Sequence, residues 1–150
     1  MARQTYDNLR GILKTKLEGL VDSGTPPKTI LHEVYDYTEG QFSGYPSANI
    51  RISGGEGDFS DTARNQREFI FNVDLYQEVD ESGKSKEEAT DAMVLAIDKI
   101  MASFDTDVRL GEECAFVKVI PVLLDTTVRS GVFLFATFEI HIVDLVNNYN

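Results

Sequence analysis

Between Val132 and Val146 two interleaved sets of residues alternate along the chain: Val132, Leu134, Ala136, Phe138, Ile140 and Ile142 against Phe133, Phe135, Thr137, Glu139, His141 and Val143. Alternation is the signature of a strand, whose successive side chains leave opposite faces. The first set is apolar throughout, whereas the second begins apolar and turns polar. A strand apolar on both faces over half its length has to be covered on both sides there.

Glu68–Gln77 alternates in the same way, with Phe69, Phe71, Val73 and Leu75 on one side and Ile70, Asn72, Asp74 and Tyr76 on the other. Three further strands are expected over Thr29–Tyr37, Ala48–Ile52 and Cys114–Leu124, the last interrupted by Pro121, which points to an edge position or a bulge. Two segments have helical periodicity instead. Tyr6, Leu9, Ile12, Leu13, Leu17, Leu20 and Val21 form one stripe, with Thr5 as N-cap and Ser23-Gly24 before Pro26-Pro27 as the stop. Ser85-Lys86-Glu87-Glu88 matches a capping box ahead of a helix that buries Ala89, Ala92, Met93, Ala96, Ile97, Ile100, Met101 and Phe104. The order α-β-β-β-α-β-β, with short turns between strands, predicts one α+β domain: a mostly antiparallel sheet with two helices packed on one face. Two helices cover one side only, so the expected cover for the other is a second subunit.

Ser53–Gln66 contains three glycines, two aspartates and little apolar content, and is expected to be a mobile loop or hairpin arm. Asp58 and Phe59 lie within it, with Asp61 beyond them and Arg64 and Arg67 at its C-terminal base. These are candidate partner contacts. Phe133 and Phe135 are candidates for a subunit seam, with a helix-covered core as the alternative for each.

The chemistry of the chain is sparse. It carries 25 acidic and 14 basic residues over 150 positions, a net charge of −11. That balance disfavours a surface dedicated to nucleic acid, because phosphate affinity comes from clustered Lys and Arg. No stretch approaches the roughly 20 apolar residues of a membrane span. With Met1–Gln4 leading into no signal-peptide core, the chain is expected to be soluble and cytoplasmic where it is made. One cysteine, Cys114, excludes an intrachain disulfide and reads as a buried, inert thiol with no base beside it. Gly54-Gly55-Glu56-Gly57 fails as a phosphate cradle, since Glu56 and Asp58 put negative charge where phosphate would sit and no helix follows. No metal or cofactor is expected. A small metal-dependent hydrolase would have to use Asp58/Asp61 or Asp74/Glu78, and a ligand-binding α+β domain has no pocket signature to support it.

Glu33-Val34-Tyr35-Asp36-Tyr37, then Gly44-Tyr45-Pro46-Ser47-Ala48-Asn49-Ile50, then Arg64-Asn65-Gln66-Arg67-Glu68-Phe69-Ile70-Phe71-Asn72-Val73-Asp74-Leu75-Tyr76, resembles in order and spacing the neck proteins of tailed bacteriophages. Within that group it is most similar to tail terminator (tail completion) proteins, and the capped helix and two apolar strands continue the likeness to the C-terminus. The resemblance implies a structural virion protein, assembled in the host cytoplasm as a ring, usually of six subunits. Such a ring caps the head-proximal end of the tail tube, stops its polymerisation and docks to a head-completion or connector protein. DNA passes through its lumen without specific binding. The resemblance carries no catalytic residues with it. A head-completion or stopper protein on the portal side of the neck shares parts of the pattern and is the alternative.

Overall fold

The computed structural model describes residues 5–37, 42–59, 64–79, 86–111, 114, 116–129 and 133–147. In chain order the elements are α1 (Tyr6–Glu18), β1 (Glu33–Tyr35), β2 (Ser47–Phe59), β3 (Arg64–Glu78), α2 (Lys86–Asp105), β4 (Phe116–Arg129) and β5 (Phe133–Asn147). The strands form one sheet in the order β1-β2-β3-β5-β4. Every neighbouring pair is antiparallel except β1 with β2. The α+β architecture and its element order are as the sequence predicts.

At the centre, β3 and β5 pair from Arg64↔Asn147 to Glu78↔Phe133 without a register shift. That register puts Phe69, Phe71, Val73 and Leu75 beside Ile142, Ile140, Phe138 and Ala136, so all eight point to one face. Each is buried there together with Leu9, Leu13 and Leu17 of α1 and Ala89, Met93, Ala96, Ile97, Ile100 and Phe104 of α2, in a single core. Both helices therefore lie on one face of the sheet. Tyr6 sets α1 on the central strand, its ring edge-on to Phe69 and Phe71 at 4.8 and 5.5 Å. The Lys16 ammonium ties α1 to the end of α2 through Asp107 at 3.0 Å.

Several boundaries move. The Thr5 hydroxyl accepts the Asn8 N–H, as an N-cap should. The helix nevertheless stops at Glu18, with Gly19 as its C-cap, and not at Ser23-Gly24. Downstream, the Asp22 carboxylate accepts the N–H groups of Gly24 and Lys28, and the Asp22 N–H reaches Lys28 O. This tight loop uses backbone that further helix would need, and it leaves Val21 half exposed. The same loop takes Thr29 and Ile30, and the His32 N–H donates to Pro46 O, so the strand expected over Thr29–Tyr37 shrinks to Glu33–Tyr35. Cys114 is buried ahead of β4 and not within it. Pro121 sits on an edge strand, beside a register shift between Pro121 and Leu123. Ser85, the expected cap of α2, lies outside the described residues.

Ser53–Gln66 is strand over most of its length, not loop. Gly54–Phe59 pair with Ile70–Asn65 after a bulge between Ile52 and Gly54, which makes the segment the distal part of the β2-β3 hairpin. Only the hairpin alternative of the two expected forms applies to the described residues.

The two phenylalanines at Phe135 and Phe138 of β5 face opposite ways and should differ in cost. Phe138, fully buried under the helices, is expected to lose about 3–5 kcal/mol on truncation to Ala. Phe135→Ala should cost about 1–2 kcal/mol, since only half-buried aromatic contacts are lost. Urea unfolding midpoints of the two variants measure the difference.

Candidate interaction surface

The face of the sheet turned away from the helices is built from the alternate residues of the same strands. One row across it reads Asn49, Asp74, Thr137, set by the registers of β2, β3 and β5. The Asp74 side chain is only 5% exposed although no helix covers it. Its cover is polar: the Arg51 guanidinium donates to both carboxylate oxygens, at 2.5 and 3.0 Å, and the Thr137 hydroxyl donates to Oδ1 at 2.8 Å. Two-pronged guanidinium binding of this kind fixes geometry as well as charge. Hydrogen bonding to Asp74 raises the Arg51 pKa above its ordinary value, against the opposing effect of burial. Asp74 thus staples three strands, and with three hydrogen bonds already made its carboxylate is poorly placed to serve the hydrolase reading.

Two rows further along, the imidazole of His141 lies between two carboxylates. Nδ1 meets Glu68 from β3, and Nε2 meets Glu139 of its own strand at 2.9 Å. A neutral imidazole donates from one nitrogen only, so both contacts are favourable together when the ring is protonated. Burial lowers the His141 pKa, but hydrogen bonds and charge from Glu68 and Glu139 outweigh it, and the net shift is upward.

The opposite end of this face is aromatic. Phe42 stacks at 5.0 Å on Tyr76, which in turn lies 5.2 Å from Phe135. Tyr45 and Tyr35 flank Phe42 at 5.8 and 5.7 Å, and Tyr37 packs on Tyr35. Phe42 and Tyr45, from the connection between β1 and β2, lie over the sheet here and cover part of what the sequence assigns to a second subunit. Phe135 accordingly belongs to neither helix-covered core nor bare surface: it is half-buried under this aromatic cap. The cap is partial, since Tyr37 remains 55% exposed.

The candidate residues divide into two groups. Asp58 and Phe59 end β2, with backbones paired to Gln66 and Asn65, while Arg64 and Arg67 on β3 pair with Asn147 and Asp144. Asp61 lies outside the described residues. Phe133 and Phe135 begin β5 at the other end of the sheet. Twelve residues along β5 separate Phe135 from Asn147, roughly 40 Å of strand at ~3.3 Å per residue, so the two groups lie at opposite ends of the sheet. The Arg51–Asp74–Thr137 staple, the His141 clamp and the Phe42 cap are absent from the sequence reading. Alternation alone could have paired His141 with a residue of β3, but only the register identifies Glu68. Among the described residues no group of three or more His, Cys, Asp or Glu side chains is arranged to hold a metal ion, and no helix is long and apolar enough to cross a membrane.

No protein-family model matches the sequence, and no curated protein matches it significantly.

The His141 clamp has a definite pH signature. A folded-state pKa raised above 6.5 contributes stability that is complete below about pH 6.5 and fades as pH rises through the raised value. The urea midpoint of the wild type should therefore exceed that of His141→Gln by more near pH 6 than near pH 9. An equal gap at both would show that the clamp is not proton-linked.

Proposed function

We propose that this chain is a structural component of a bacteriophage neck, a tail terminator that assembles into a ring of six. The ring caps the head-proximal end of the tail tube, halts its growth and presents its other surface to a head-completion or connector protein, with DNA passing through the lumen. The reading rests on the ordered resemblance of the segments around Tyr35, Tyr45 and Arg64–Tyr76 to that family. The observation that carries it is the separation of the candidate contacts into two unlike groups at opposite ends of the sheet.

A closed ring is built from heterologous contacts, in which one patch of each copy meets a different patch of the next. A subunit with two distinct ends suits that geometry. The mechanism is one of shape: one ring surface matches the terminal layer of the tube and the other does not, so addition stops. Nothing in such a mechanism needs a nucleophile, a base or a metal. The commitment of Asp74 to Arg51 and Thr137 is in keeping with this, because it takes one of the carboxylates a hydrolase would use into a structural role.

Electron microscopy of the purified protein, alone and mixed with polymerising tail tubes, tests the proposal. The expected result is annuli in the first sample and tubes closed at one end, with arrested lengths, in the second. Tubes that elongate equally with and without the protein would refute it. Capture by portal protein in preference to tube protein would move the assignment to the portal side of the neck.

A further inference from the structure

The two outer edges of the sheet are finished differently. At β4 the Val117 N–H is taken by Val108 O at 2.6 Å, Pro121 has no N–H to offer, and Lys118 is exposed. Such features close a strand edge to other chains. On the opposite side β1 pairs only with Ser47, Ala48 and Asn49 of β2. Residues 50–59 then pair with β3 on one flank, and among the described residues no strand or loop backbone bonds to the other. This stretch contains neither Pro nor Lys, and Ile52 on it is 51% exposed. An edge of this kind accepts an extended segment by main-chain pairing.

The edge of β2 opens at a notch. Where β1 departs, Arg10, Asp36, Tyr37, Ile50, Arg51 and Ile52 line a cavity of about 330 Å³. Its charged groups differ in how far they are already engaged. The Arg10 guanidinium is held by Asp7 at 2.7 Å and donates to Asp36 O at 3.5 Å, and Arg51 donates to both carboxylate oxygens of Asp74. The Asp36 carboxylate has no hydrogen bond or ion pair with any described residue. With Asp7 and Asp74 set against the two arginines, the notch keeps one uncompensated negative charge, that of Asp36. The same cavity is walled by Tyr37, 55% exposed, and by Ile52. An aromatic ring, an aliphatic wall and a carboxylate together suit the methylene stem and cationic head of a lysine or arginine.

We infer that the edge of β2 over residues 50–59 docks an extended basic peptide segment, whose backbone continues the sheet and whose lysine or arginine enters the notch beside Asp36. Charge complementarity sets the occupant. The notch has the net charge of a carboxylate, and the chain around it carries −11, which draws basic segments and repels acidic ones. The bulge between Ile52 and Gly54 keeps the regular ladder next to the notch short. Main-chain bonds therefore supply adhesion, and the side-chain pocket supplies selectivity. The site needs only one copy of this chain and stands independently of the ring reading.

The probe is an acetylated, amidated peptide, Thr-Val-Thr-Lys-Thr-Val-Thr. It is compared with the same peptide carrying Glu for Lys, and with one N-methylated at alternate residues, which cannot pair as a strand. Isothermal titration calorimetry is expected to show about ten-fold tighter binding of the Lys peptide than of the Glu peptide. Hydrogen exchange read by mass spectrometry should slow across residues 50–59 when the Lys peptide is bound. Asp36→Asn should cut the preference for Lys over Glu about five-fold while leaving the urea midpoint unchanged. Equal affinity for the Lys and Glu peptides would overturn the notch as a cation subsite, and preference for Glu would assign it to the arginines instead. Undiminished binding of the N-methylated peptide would overturn strand addition. No binding of any of the three, with residues 50–59 exchanging freely, would overturn the site altogether. Protection of residues 50–59 in the protein alone, growing with its concentration, would give the edge to a second copy and overturn the basic peptide as its occupant.

Discussion

The pairing of β3 with β5 is the constraint on which the rest of this structure depends. Fifteen residues of each strand run side by side without a bulge; β2 and β4 attach directly to these two, and β1 joins through β2. Side chains alternate with a period of two, so a slip of one residue would carry Phe71, Val73, Phe138 and Ile140 out of the core and put Asn72, Asp74 and Glu139 in their place. Burial on the helix side fixes the register, and the register then dictates the opposite face. Asp74 meets Thr137, and Glu68 comes within reach of His141, because the apolar residues between them have to face the helices.

This dependence explains what could be read from the sequence. Strong alternation in Glu68–Gln77 and Val132–Val146 and the helical stripe from Ala89 to Phe104 exposed β3, β5, α2 and the α+β class directly. The distal hairpin was obscured by composition, since Gly54-Gly55-Glu56-Gly57 has loop chemistry. Its strand form comes from β3, which is held straight by β5 and offers Gly54–Phe59 a ladder to join. Thr29–Tyr37 erred the other way: its apolar residues suit a strand, but the loop organised by Asp22 takes its first part. The side-chain contacts of the far face were the least legible. Glu68 and His141 are 73 positions apart, and no local pattern announces a contact of that kind.

The far face also revises how the double-sided apolar character of β5 is met. Phe135 packs on Tyr76, which itself lies under Phe42, so the chain supplies part of its own cover there. Polar staples take over farther along, where Arg51 and Glu139 satisfy charged neighbours from the solvent side.

Charge sets a further condition on assembly. A net charge of −11 per chain makes association of identical copies work against mutual repulsion, which salt screens beyond a Debye length of about 8 Å under physiological conditions. In the proposed ring, long-range attraction between like-charged copies would not supply the contact, and short-range terms would have to. An excess of acidic over basic residues also suits the DNA-conducting lumen of the proposed ring, because phosphates bind through clustered lysines and arginines. Raising the ionic strength should thus favour closure of the proposed ring, whereas it would weaken one held by opposite charges, and the sign of that salt dependence follows from composition.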